Sequence, residues 1–234
     1  MYKMRVVTWN CNGKFREKYR AIKKLDADIY VIQECENPEI TGVVDYQKFA
    51  QNHIWEGHNN KGLGIFAKKE VSLKNNFWKP FGLEWFISCT INNEITLVGI
   101  WACGNYIADI YVYLQIYNKR LSISPNKLIC GDFNSNTRWD NKRKIRTHTA
   151  VANKLAEQDL FSAYHMFFQE SQGKESKPTF FMHRHKDKPY HIDYMFYNPL
   201  KISNFSVGSF EDWIALSDHV PLILDISLKK VSRG

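Results

Sequence analysis

Five short polar clusters, each set against an apolar strand-like run, constrain this chain more than any other feature of its sequence. Thr8-Trp9-Asn10-Cys11-Asn12-Gly13 follows Arg5-Val6-Val7, and Gln33-Glu34 follows Ile29-Tyr30-Val31-Ile32. Gly131-Asp132-Phe133-Asn134 follows Leu128-Ile129-Cys130. Ser217-Asp218-His219-Val220-Pro221 stands just before the last strand, and His191-Ile192-Asp193-Tyr194 opens one. A lone Asp or Asn beside a strand is commonly a turn or cap residue. Five clusters together point to a shared site, because strands aligned in a sheet bring their ends to one rim, where ligands commonly bind.

The apolar spacing predicts strands over Met4–Trp9, Asp28–Gln33, Gly62–Lys68, Ile87–Trp101 with a turn at Asn92-Asn93, and Lys127–Cys130. Further strands are expected near Thr179–Met182, Ile192–Tyr197, Ile202–Val207 and Val220–Ser227. Helical spacing predicts Lys14–Leu25, Tyr106–Lys119 and Ile145–Gln158. This order suits an α/β or α+β sandwich with helices outside the sheets. No repeat or flexible linker divides the chain, so one domain over residues 1–234 is the expectation.

Converged, the clusters supply Asn10, Glu34, Asp132, Asn134, Asp193, Asp218 and His219. Oxygen ligands dominate this set, which suits Mg²⁺ or Mn²⁺ better than Zn²⁺. Crowded carboxylates need a cation or a proton to coexist, and a divalent ion also balances a phosphate. Asn10 and Asn134 can donate to phosphoryl oxygens without adding charge. His219 can donate a proton or a hydrogen bond while a carboxylate fixes its tautomer. The set is equipment for hydrolysing a phosphate ester.

The formal charge of +8 attracts polyanions such as nucleic acid, acidic membranes or phosphorylated metabolites, although solubility alone also accounts for it. Five cysteines, an odd number without a CxxC pair, argue against a zinc site or a disulfide framework. They read as reduced, mostly buried thiols of a cytoplasmic protein. The N-terminus carries no apolar secretion segment, and no apolar run reaches transmembrane length. A monomer is expected.

The five clusters, in this order, resemble the motifs of the endonuclease/exonuclease/phosphatase superfamily, which has the DNase I-like fold, over nearly the whole chain. The resemblance implies a four-layered α/β/β/α sandwich of two mixed sheets flanked by helices. It implies Glu34 as the primary metal ligand, with Asn10, Asp132 and Asp218 at or near the metal. Asp132 would position and deprotonate the attacking water, and Asn134 would orient the phosphate. His219 would stabilise charge on a phosphoryl oxygen, and Asp193 would orient His219. Relatives often carry Asp where Asn12 stands, and Tyr or His near Trp101-Ala102. Trp has a single donor and does not titrate, so either Trp101 only packs or another side chain supplies that phosphate contact.

Arg138, Lys142, Arg143, Lys144 and Arg146, with Trp139 among them, follow the Gly-Asp-Phe-Asn cluster. Cations around an aromatic ring suit a nucleic-acid backbone with a stacking base, although a solvated loop would look the same. Asn12, Arg138, Arg143, Lys144, His148, Arg184, His185 and His191 are the candidate substrate contacts. The aromatic run Phe77, Trp78, Phe81, Trp85, Phe86 is core or a binding lip. The expected activity is a Mg²⁺-dependent nuclease acting on DNA or RNA. The alternative is a hydrolase of a small phosphorylated molecule or a phospholipid headgroup.

Overall fold

Neighbouring residues of the first strands face different cores. Val6, Ile29 and Val31 join one cluster, while Val7, Tyr30 and Ile32 join another. A strand buried on both faces needs apolar residues at consecutive positions, and these runs supply them. In the computed structural model, which describes residues 2–142, 145–197 and 201–228, this alternation produces two stacked sheets.

The chain runs β1 (Tyr2–Asn10), α1 (Phe15–Lys23), β2 (Ile29–Cys35), α2 (Val44–Phe49), β3 (His53–His58), β4 (Lys61–Ala67) and β5 (Leu73–Asn75). There follow β6 (Phe86–Ile91), β7 (Ile95–Trp101), α3 (Ile107–Ser122), β8 (Asn126–Asp132) and a 3₁₀ turn at Thr137–Lys142. The remainder is α4 (His148–Ala156), β9 (Phe161–Ser162), α5 (Ala163–Phe168), β10 (Phe180–Phe181), β11 (Pro189–Tyr190), β12 (Asp193–Tyr197), β13 (Lys201–Val207), α6 (Phe210–Trp213) and β14 (Leu222–Leu228). One six-stranded sheet has the order β13-β14-β1-β2-β4-β3, the other β5-β6-β7-β8-β12-β9. Each is antiparallel except for one parallel pair, β1–β2 and β7–β8, joined through α1 and α3. A parallel pair needs such a crossover, and it leaves both members ending at the same rim.

Three cores separate four layers. The middle one joins the facing sides of the two sheets, including Val31, Ile65, Leu97 and Leu128. The second packs Phe15, Tyr19, Ile22 and Tyr46 of α1 and α2 outside the first sheet. The third packs Ile110, Tyr113, Leu114, Val151 and Leu155 of α3 and α4 outside the second. The expected α/β/β/α sandwich is therefore the observed one. The sheets approach closely at Gly99, where an added Cβ would lie 3.0 Å from Val31 Cγ1.

α4 begins at His148, three residues later than the spacing predicts, because Thr147 caps it by accepting from Ala150 N–H. The aromatic run divides. Phe86 stacks on Tyr113 at 4.4 Å and Trp78 on Tyr117 at 4.5 Å, whereas Phe77 and Phe81 are 81% and 65% exposed. All five cysteines are free and four are buried, as expected of reduced thiols. Among the described residues, no helix is long and apolar enough to cross a membrane.

Candidate active site at the rim of both sheets

Asn10 closes β1, and its backbone carbonyl accepts from Ser217 Oγ at 2.7 Å. Its side-chain oxygen accepts from Asn12 N–H, so its amide nitrogen turns to the carboxylates. That nitrogen donates to Glu34 Oε1 at 3.1 Å and to Asp132 Oδ2 at 3.0 Å, linking the two sheets. So placed, the Asn10 amide holds the two carboxylates together.

Glu34 reaches this position through a bulge. Gln33 pairs with Leu63 and Cys35 with Gly62, which leaves Glu34 unpaired with φ 62°. A left-handed glutamate costs on the order of 1–3 kcal/mol and persists only where its surroundings hold it. Asn10 and Lys61 do so here, the Lys61 ammonium lying 2.6 Å from Glu34 Oε2.

Asp132 ends β8, in register with Trp101 of β7 and Asp193 of β12. The glycine before it has no substitute: at φ +143° a side chain at residue 131 would overlap the Ile100 carbonyl oxygen. Phe133 anchors the turn by packing on Tyr194 and Phe196. Asn134, at φ 46°, donates its backbone N–H to Asp132 Oδ1 and its amide to Asp132 Oδ2 and the Ala102 carbonyl. Its donors are thus spent on orienting Asp132.

His219 Nδ1 meets Asp193 Oδ2 at 2.9 Å, both residues buried. Three other residues seat the pair. Trp9 donates its indole N–H to the His219 carbonyl, and Phe180 packs against the imidazole at 4.7 Å. Thr179 Oγ1 accepts from Asp193 N–H, while its carbonyl accepts from Val220 N–H. Burial would lower the His219 pKa, but the charge and hydrogen bond of Asp193 prevail and raise it to about 9. Burial raises Asp132 to about 7, with the Asp193 charge adding and His219 opposing. These shifts favour a charged imidazole beside a carboxyl that titrates near neutrality.

One ligand atom each of Asp132, Asp193 and His219 lies within 4.8 Å of the others. Among the described residues, Asp193 Oδ1 is buried without a hydrogen-bond partner. This orphan oxygen, together with Glu34 and Asp132 on one amide, is a donor set that fits a hard divalent cation. Asp218 stands further out, held by Asn12 Nδ2 at 2.9 Å.

The predicted substrate contacts fare unevenly. Asn12 is in the cluster through Asp218. Arg138 donates its Nε to the Gly173 carbonyl and its backbone N–H to Asn136 Oδ1. Arg184 and His185 are exposed, Arg184 donating to the Ala215 carbonyl and His185 lying 4.0 Å from Asp187. Arg143 and Lys144 lie outside the described residues. His148 and His191 are corrections. His148 is 1% exposed against Tyr194, and burial pulls its pKa down to about 4, so it is a neutral core residue. His191 is buried too, its Nδ1 facing the Lys177 carbonyl. Both belong beside a buried network in which Asn136 Nδ2 meets Glu175 Oε2, the His191 carbonyl and Tyr194 Oη.

Lys61, Thr179 and Asn136 are site or support residues that the motifs miss. Asn136 alone had a local signal, standing two residues beyond Asn134.

Two stacked mixed sheets with this polar rim are the framework of a hydrolase acting on phosphate esters. The chain belongs to the endonuclease/exonuclease/phosphatase family, whose model matches residues 7–219. Among solved structures it is similar to the Neisseria 3' phosphatase NExo bound to a product DNA hairpin, at 16% identity and a TM-score of 0.72. It is also similar to the 3'-5' exonuclease NExo from Neisseria meningitidis (17%, 0.70) and to an AP endonuclease from Archaeoglobus fulgidus (17%, 0.69). Each match covers 96% of this chain and 100% of the other, and at such identities the likeness establishes a shared fold. No curated protein matches the sequence at a significant level.

Proposed function

We propose that this chain is a divalent-metal-dependent phosphodiesterase that hydrolyses nucleic acid, with DNA the favoured substrate. The observation that carries this reading is the meeting of Glu34 and Asp132 on the single amide of Asn10, with the Asp193–His219 pair beside Asp132. Glu34 and the neighbouring carboxylates would hold Mg²⁺ or Mn²⁺. Such a cation, when bound, supplies positive charge that offsets charge developing on the leaving oxygen.

The chain's own groups divide the remaining work. Asp132, oriented by Asn134 and raised to about 7, takes the proton of the attacking water. His219, kept protonated by Asp193, donates a hydrogen bond to a phosphoryl oxygen. Beside Asn134 lies an open pocket of about 510 Å³ lined by Tyr106, Trp139 and Lys142, among others. An aromatic face and a cation there suit a base and its phosphate. The net charge of +8 and the DNA hairpin held by the similar Neisseria phosphatase favour a nucleic-acid substrate. The free thiols suit a reducing compartment such as the cytoplasm, where we expect a monomer.

The test is a panel of single-stranded DNA, duplex, abasic duplex, RNA and a small phosphodiester, each with Mg²⁺ or Mn²⁺ and with excess chelator. Cleavage of DNA that stops in chelator and returns with metal is expected. Full turnover in chelator overturns the metal dependence. Hydrolysis of the small ester alone replaces the nuclease by a small-molecule phosphatase.

A further inference from the structure

The β3–β4 hairpin carries Lys61 to the rim, and the bulge in β2 turns Glu34 to meet it. The ammonium lies 2.6 Å from Glu34 Oε2 and 5.5 Å from the centre of the Trp101 ring. Trp101 is fixed in turn, by its register with Asp132 and by Trp85 at 4.9 Å. The lysine side chain is 53% exposed, whereas that of Glu34 is 17% exposed. One partner of this ion pair is thus seated and the other is free to move.

An ordinary surface ion pair contributes little. This one differs in its partner, which is the carboxylate that a divalent cation needs. A cation on Glu34 and the Lys61 ammonium 2.6 Å from its Oε2 compete for one carboxylate, so metal binding weakens the hold of Glu34 on the ammonium. The Trp101 face keeps a displaced cation beside the rim, because an aromatic face attracts a cation at this distance. A phosphate brought to the metal offers the ammonium a new anion.

We propose that Lys61 is a substrate-contacting residue that exchanges partners: it neutralises Glu34 while the metal is absent and passes along the Trp101 face to a non-bridging phosphate oxygen when metal and substrate bind. It thereby supplies the phosphate contact for which Trp101 itself has no suitable group. The proposal rests on the phosphoesterase reading of the site.

The experiment compares wild type, Lys61→Met, Lys61→Arg and Glu34→Gln as full-length proteins. Mn²⁺ binding is measured by calorimetry without substrate, and KM and kcat are measured on a DNA oligonucleotide. Lys61→Met should bind Mn²⁺ roughly two- to fivefold more tightly, because a competing cation is gone. The same variant should show KM raised by about tenfold, the loss of one charge-assisted contact, and Lys61→Arg should recover most of it. Glu34→Gln should lose Mn²⁺ binding. Unchanged or weaker Mn²⁺ binding by Lys61→Met overturns the exchange, and so does an unchanged KM. If wild type neither binds Mn²⁺ nor cleaves any phosphate ester, the phosphoesterase reading fails and takes this proposal with it. If wild type does both and Lys61→Met behaves like it, the Lys61 proposal alone fails.

Discussion

Replacing Asp193 by Asn removes the charge that keeps His219 protonated and changes little else in volume. The rise of His219 from 6.5 to about 9 corresponds to roughly 3 kcal/mol at about 1.4 kcal/mol per unit. That stability is fully present below pH 6.5, where the unfolded histidine is protonated too, and it is lost as pH rises through about 9. In Asp193→Asn the imidazole loses the largest raising influences and keeps burial, which lowers it, against the smaller charges of Asp132 and Asp218, so its pKa should fall well below about 9. Histidine NMR on the metal-free protein, with His219→Gln for assignment, reads the titration directly. Urea unfolding at several pH values reads the linkage. The wild type should lose its roughly 3 kcal/mol advantage over the variant between pH 6.5 and 9.5. Turnover of Asp193→Asn should fall by about two to four orders of magnitude, and adding His219→Ala should cost little more. A His219 that still titrates near 9 in the variant would refute the pairing, and strict additivity of the two losses would count against it.

Asp132→Asn should abolish hydrolysis and remove the fall in stability that the metal-free wild type shows as pH rises from about 4 to about 7, read from urea midpoints. The sign follows from the raised carboxyl, whose contribution is present below about pH 4 and lost as pH rises through about 7. Gly131→Ala should cost more than about 3 kcal/mol, because its Cβ overlaps the Ile100 carbonyl at a φ of +143°; an unchanged unfolding midpoint would contradict this. Asn136→Ala should cost roughly 1–3 kcal/mol by removing the side-chain donor to Glu175 Oε2 and one of the two donors to the His191 carbonyl, again checked by urea unfolding.

The strands and the polar clusters at their ends were legible because both are local patterns. Val6-Val7 and Ile29-Tyr30-Val31-Ile32 announce strands buried on two faces, and the clusters beside them mark the rim. Features created only by tertiary pairing were not legible. Lys61 is one of 32 lysines and arginines, and nothing before the bulge at Glu34 distinguishes it from a solvated charge. β3 hides in a half-exposed run, and α2 and α5 have only six residues each, too few for helical spacing to show. His148 misled because it adjoins a basic segment, while the apolar face of α4 turns it inward against Tyr194. The sequence leaves the role of Trp101 open; in the structure its ring packs on Trp85 and carries a cation that no motif contains.

Glu34 belongs to one sheet and Asp132 to the other, and the Asn10 nitrogen spans the gap between them. The chemistry is therefore hung between two plates whose spacing is set deep in the interior. Gly99 is one gauge of that spacing: an added Cβ would lie 3.0 Å from Val31 Cγ1 and 3.4 Å from Ile65 Cδ1, so a methyl group there needs Val31 to give way by a few tenths of an ångström. A substitution there would leave every charged residue in place and still prise the two halves of the site apart by a few tenths of an ångström. Catalytic geometry in such a molecule is tuned by the thickness of its apolar filling, so variants of altered activity should arise in the interior as readily as at the rim.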